Sequence, residues 1–134
     1  MTFIKRLISP LFALLLVAAI AISGCGNADG LTGNYQQDTL DMVAALKTAI
    51  ELPADAPNKV AAQAEARQKI NVYASRYRRD ASVATLSSYT TIRTVLNSLA
   101  GHYSSYPNRP IPQKLKDRLT RELKRVELAL KRGY

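Results

Sequence analysis

Four stretches of the sequence repeat their apolar residues every three or four positions, and none alternates apolar and polar residues as a half-buried strand does. This periodicity predicts an all-α fold. The first stretch covers residues 39–51, with Met42, Val43, Leu46, Ala49 and Ile50 on one face. Leu52-Pro53 ends it, because the residue before proline avoids the helical basin. The second covers 58–79, with Asn58 as N-cap and Ala62, Ala66, Ile70, Tyr73, Ala74 and Tyr77 in one stripe. Its small residues suit close packing. The third covers 82–103, with Tyr89, Ile92, Val95, Leu96, Leu99 and Tyr103 on one face. Val83 and Leu86 fall off that face and suggest a separate turn before the helix. The fourth covers 112–132, where Pro112 suits the first helical position and Leu115, Leu119, Leu123, Val126 and Leu130 share a narrow arc. Lys131 and Arg132 complement its negative end, and Gly133 can cap it. The connections are short except 104–111, SSYPNRPI, which requires a shaped loop. The expected architecture is an antiparallel four-helix bundle.

The first 25 residues read as processing rather than fold. Lys5 and Arg6 form a short positive region, followed by twelve apolar residues from Leu11 to Ile22. That run is too short for a bilayer core of roughly 30 Å, which takes about 20 residues, and it suits a signal peptide. It ends in Ile22-Ser23-Gly24-Cys25, the pattern of a bacterial lipobox. Small residues let the chain enter the peptidase groove, and the Cys25 thiol accepts the lipid. The only cysteine of the chain stands at that position, so a disulfide framework and a cysteine-built zinc site are both excluded. The expected division is a cleaved signal peptide at 1–24, a lipidated linker at 25–37 and the bundle at 38–134. Lipid on Cys25 would hold the protein firmly to a membrane, given about 0.8 kcal/mol per buried CH₂.

Loss of Lys5 and Arg6 lowers the formal charge from +9 to +7. What remains is uneven. Residues 25–58 carry five acids and one base, residues 59–111 eight bases and two acids, and residues 112–134 eight bases and three acids. On the fourth helix Lys114, Arg118, Arg121, Arg125 and Arg132 form a basic stripe away from the apolar face. It reads either as a solvated face with the i,i+4 pairs Asp117–Arg121 and Glu127–Lys131, or as a surface for an acidic protein or an anionic membrane. Nucleic acid is a poor partner for an exported lipoprotein. Arg78 and Arg79 either complement the end of the second helix or edge a contact surface. Ser87, Thr90, Thr91, Thr94, Asn97 and Ser98 make a polar face on the third helix with only Arg93 charged. Such a face is cheap to desolvate, and it fits either a partner or another helix of the bundle.

Catalytic signals are sparse. Asp38 and Asp41 are spaced i,i+3 without a companion histidine, and both suit the positive N-terminal end of the first helix. His102 is the single histidine, better suited to a cap or loop hydrogen bond than to a metal or haem. No metal site is expected, and no cofactor beyond the covalent lipid on Cys25. An enzyme built on Asp38, Asp41 or His102 would require a cleft holding a perturbed titratable group.

Three segments together carry a resemblance. They are Thr32-Gly33-Asn34-Tyr35 with Asp38-Thr39-Leu40, then AEARQKINVYASRYRRD at 64–80, and SYTTIRTVLNSLAGHYSSYPNRPIPQKLKDRL at 88–119. The chain resembles the small luminal photosystem II assembly lipoproteins of oxygenic phototrophs over essentially its whole mature length. Ile92 and Ile111 stand where methionine and leucine are common in that family, both conservative exchanges. The resemblance implies a non-enzymatic, monomeric four-helix factor in the thylakoid lumen, lipid-anchored through Cys25. It implies binding to the luminal face of the chlorophyll-carrying inner antenna subunit in assembly and repair intermediates, before the manganese cluster is built. It implies further that premature docking of the extrinsic oxygen-evolving proteins is hindered. From charge and polarity alone, Arg78, Arg79, Thr90, Arg93, Thr94 and Asn97 are the expected docking residues. The rival expectation is a general helical envelope lipoprotein that binds an acidic protein or anionic membrane through the basic stripe.

Overall fold

The computed structural model describes residues 30–107 and 109–134. The signal segment and Cys25 lie outside the described residues. Four α-helices follow in order: α1 Tyr35–Glu51, α2 Lys59–Tyr77, α3 Ser87–Ser105 and α4 Gln113–Lys131. No strand occurs among the described residues. Each helix packs on two others in the cyclic order α1, α2, α3, α4, with α4 closing back on α1. Links of seven, nine and seven residues separate them, which suits up-and-down neighbours. The fold is an all-α four-helix bundle, and residues 33–134 form one compact unit.

The apolar stripes supply the core. Met42, Val43, Leu46 and Ile50 of α1, Ala66, Ile70, Tyr73 and Tyr77 of α2 and the full expected set on α3 are buried. Leu119, Leu123, Val126 and Leu130 close the core from α4, while Leu115 at its start is only half-buried. Leu46, Ile92, Leu99, Leu119 and Leu123 are completely enclosed. Small residues line the α1–α2 seam, where Ala45, Ala49, Ala62 and Ala66 border a shallow groove of about 190 Å³.

The helix ends differ from the sequence expectation in physically informative ways. α1 starts at Tyr35 rather than residue 39, because Asn34 is its N-cap and accepts the Gln37 N–H at 3.0 Å. Asn58 occupies the N-cap position of α2, but its side chain makes no capping bond. α3 begins five residues later than expected. Asp80 first folds an Asx turn, accepting the Ser82 N–H at 3.0 Å. Successive turns then bond Val83 N–H to Asp80 O and Leu86 N–H to Val83 O, and they bury Val83 in the core. Pro112 precedes α4 as its N-cap, with ψ of 143°, and its carbonyl accepts the Lys116 N–H at 3.0 Å. The C-terminus of α4 follows the expectation. Gly133 adopts φ of +79°, its N–H bonds Leu130 O, and the Tyr134 N–H reaches back to Ala129 O. That pairing is a Schellman cap.

Candidate docking surface

The first turn of α1 is fastened to α2 and α3 by buried polar groups. Asp38 is 2% exposed, and its Oδ2 accepts the Tyr77 hydroxyl at 2.5 Å and the Gly33 N–H at 3.2 Å. Thr39 pairs with the Tyr73 hydroxyl at 2.8 Å, and Tyr35 with the Ser88 hydroxyl at 2.9 Å. The Tyr77 ring stands edge-on to Tyr35 at 5.3 Å and tilted to Tyr73 at 4.9 Å. Burial pushes the Tyr73 and Tyr77 phenols well above their ordinary range, and for Tyr77 the Asp38 carboxylate adds to the rise. Asp38 is therefore a structural clasp rather than a group serving only the helix terminus. Asp41 points elsewhere, is exposed, and accepts the Gln37 side-chain amide at 2.8 Å. The two carboxylates do not converge on a common site.

The six expected docking residues are all exposed. Thr90, Arg93, Thr94 and Asn97 follow one another at helical spacing along the outer face of α3. Thr90 donates its hydroxyl to Leu86 O at 2.8 Å, and Thr94 to Thr90 O at 3.1 Å. Both hydroxyl protons are thus committed to the helix. What these threonines present outward is a methyl group and an acceptor oxygen. Arg93 lies 6.0 Å over the Tyr89 ring, close enough for a cation–π contact. Arg78 caps α2, donating its own N–H to Ala74 O, and Arg79 follows it. Next to them the Ser82 hydroxyl and N–H hold the Asp80 carboxyl below its usual range.

The basic stripe of α4 is more engaged than its sequence suggests. Arg118 donates to the Ser98 hydroxyl at 2.7 Å and lies 3.6 Å from Glu122. It ties the polar face of α3 to α4, so Ser98 belongs to a helix seam. The expected Asp117–Arg121 and Glu127–Lys131 pairs do not form. Asp117 accepts instead from the Gln113 amide at 2.9 Å, and Glu127 meets Lys47 of α1 at 2.6 Å. Lys114, Arg121, Arg125 and Arg132 remain exposed. Pro112, Lys114, Leu115, Arg118 and Arg121 line an open groove of about 350 Å³.

His102 is nearly buried in the last turn of α3. Its Nε2 lies 3.3 Å from the carbonyl of Arg109, and its ring stands 5.6 Å from Tyr106. It shapes the 106–112 connection, the loop role expected from sequence. Arg109 lies 5.5 Å over the Tyr106 ring on the outside of the same loop. Among the described residues no group of three metal-ligating side chains assembles, and no helix is long and apolar enough to cross a membrane.

Comparison with known proteins agrees with this geometry. The chain is 55% identical over 129 residues to the photosystem II assembly factor lipoprotein Psb27 of Thermosynechococcus vestitus, covering 96% of both chains. It is 33% identical over 100 residues to the photosystem II repair protein PSB27-H1 of Arabidopsis thaliana, covering 74% of this chain and 58% of that one. The solution structure of Psb27 from cyanobacterial photosystem II superposes with a TM-score of 0.75 at 53% identity, covering 83% of this chain and 96% of that one. The family described as Photosystem II Pbs27 matches residues 6–130, and the chain belongs to that family.

Proposed function

We propose that the chain is a non-enzymatic photosystem II assembly and repair factor, held to the thylakoid membrane on its luminal side by lipid on Cys25. The single observation that carries the reading is the match to a relative named as an assembly factor over 96% of the chain, joined by a relative named as a repair protein over 74% of it. In this reading the signal peptide at 1–24 is removed and the bundle works as a monomer from a short N-terminal linker. Its partner is the luminal face of the inner antenna subunit in intermediates that lack the manganese cluster. Occupancy there hinders early docking of the extrinsic oxygen-evolving proteins.

The structure supports a binding role through its exposed faces. The α3 stripe of Thr90, Arg93, Thr94 and Asn97 serves as the docking face, with Arg78 and Arg79 at its edge. A tethered partner meets its target at raised effective concentration, so a modest face suffices. The test is a pull-down of tagged chain from thylakoid membranes, wild type against Cys25→Ser. The expected result is loss of membrane attachment with retained binding to photosystem II intermediates. Unchanged co-purification after charge reversal at Arg78 and Arg79 would remove those two residues from the surface.

A further inference from the structure

We propose that the end of the bundle where α1 begins is a membrane-contacting pole that binds anionic lipid headgroups. Its geometry rests on the anchor reading. Only nine residues separate Cys25 from Tyr35, a connection that spans at most roughly 35 Å. A tether of that length keeps the α1 end of the bundle within reach of the bilayer.

Buried contacts define what else stands at that end. The Tyr77–Asp38 and Tyr35–Ser88 hydrogen bonds bring together the first turn of α1, the last turn of α2 and the first turn of α3. α4 passes Ser98 of α3 at Arg118 and runs on toward the same pole. The pole thus carries Arg76, Arg78 and Arg79 from the end of α2, and Lys131 and Arg132 from the end of α4, all exposed. None of these five makes an ion pair with a described carboxylate. Asp38 is hydrogen-bonded to Tyr77 and Asp80 to Ser82, and of the five cations Arg76 also acts on Asp80 and lies 5.8 Å over the Tyr77 ring.

The five cations lie at the C-terminal ends of α2 and α4, whose dipoles they complement, and together they give the pole a net positive face. Tyr134 adds an independent feature. It is 64% exposed, yet its backbone is pinned by the bond from its N–H to Ala129 O after Gly133. An exposed tyrosine that follows two cations in the sequence is a side-chain set that seats at a lipid interface. The ring lies at headgroup level and the cations meet phosphate or sulfonate. Lipid on Cys25 would fix position, and the cationic pole would fix orientation. The α3 stripe then faces sideways, toward a neighbour in the same membrane.

The test uses the processed chain from residue 25 carrying Cys25→Ser, which has no lipid. Arg78 and Arg79 stay untouched, because they border the α3 face. Sedimentation with phosphatidylcholine vesicles containing phosphatidylglycerol is compared with pure phosphatidylcholine. We expect binding only to the anionic vesicles. Reversal of Lys131 and Arg132 to glutamate should weaken it at least tenfold, and Tyr134→Ser should weaken it severalfold. Equal charge reversal at Lys114 and Arg121 should weaken it less than threefold. Equal loss at both sites would overturn the proposal, since it would show only nonspecific attraction. Absence of anionic preference would overturn it too, as would unaltered binding by the Lys131/Arg132 and Tyr134 variants. Thermal melting checks that every variant folds. Failure of the anchor reading shows separately, as wild-type protein without lipid in its mass spectrum.

Discussion

Tyr77 of α2 donates its hydroxyl to the buried carboxylate of Asp38 in the first turn of α1, at 2.5 Å. The same carboxylate oxygen receives the Gly33 N–H, so one side chain fixes the entry of the bundle to the end of its second helix. A hydrogen bond to a charged group contributes about 1.5–3 kcal/mol. Tyr77→Phe should therefore lower unfolding free energy by about 2 kcal/mol. Asp38→Ala should cost more, because it deprives both the Tyr77 hydroxyl and the Gly33 N–H of this acceptor. Urea unfolding of the two variants measures both values. Equal stability of Tyr77→Phe and wild type would show that the bond carries nothing net.

The Tyr103 hydroxyl stands in contrast. It is buried without a hydrogen-bond partner, while Arg67 covers the ring at 5.8 Å. An unsatisfied buried polar group costs about 1–3 kcal/mol. Tyr103→Phe removes that group and keeps the ring, so it should leave stability unchanged or raise it by up to about 1 kcal/mol. A clear loss in the same unfolding assay would contradict this account of the site.

Alkaline pH should destabilise the bundle through the same tyrosines. Burial raises the Tyr73, Tyr77 and Tyr103 phenols above their ordinary value of 10.0. Above pH 10 the unfolded chain releases protons that the folded chain keeps. Stability should be full below that pH and fall above it, by about 1.4 kcal/mol per pH unit for each such tyrosine. Melting temperature measured from pH 8 to 12 should be flat at first and then drop. Tyr103→Phe should make the drop shallower.

Leu99 sits fully enclosed in α3, facing the centre of the bundle. Leu99→Ala opens a cavity and should cost about 3 kcal/mol, within the range of about 2–5 for such truncations. Alanine at Val60, which is 78% exposed, should cost less than about 0.5 kcal/mol. The pair calibrates whether the buried stripes or the helix propensities hold the fold.

Much of this was legible in the sequence because apolar periodicity reports directly on burial. Met42, Leu46, Ile70, Ile92, Leu99 and Leu123 all lie where their spacing put them. Asp38, Thr39 and Ser88 were not legible as core residues. Hydrophobic pattern is blind to a polar side chain whose partner comes from another helix. The α1 start was missed for a different reason. Asn34 does carry an N-cap signal with glutamine three residues on, but the glycines around it read as linker. The separate turn before α3 was legible from Val83 and Leu86, but not how far it delays the helix, because Asp80 and Ser82 form a side-chain turn that occupies positions a helix would otherwise use. The docking residues were named from charge and polarity alone, and the structure adds that they are exposed and that Thr90 and Thr94 turn their hydroxyl protons inward to the helix.

The central claim is that this chain occupies photosystem II while the complex is immature. Its most direct test is the amount of tagged chain bound per photosystem II, in complexes isolated before and after manganese cluster assembly. The account predicts high occupancy on complexes that lack manganese and the extrinsic proteins, and almost none on complexes that hold both. Equal occupancy on the two populations would contradict it.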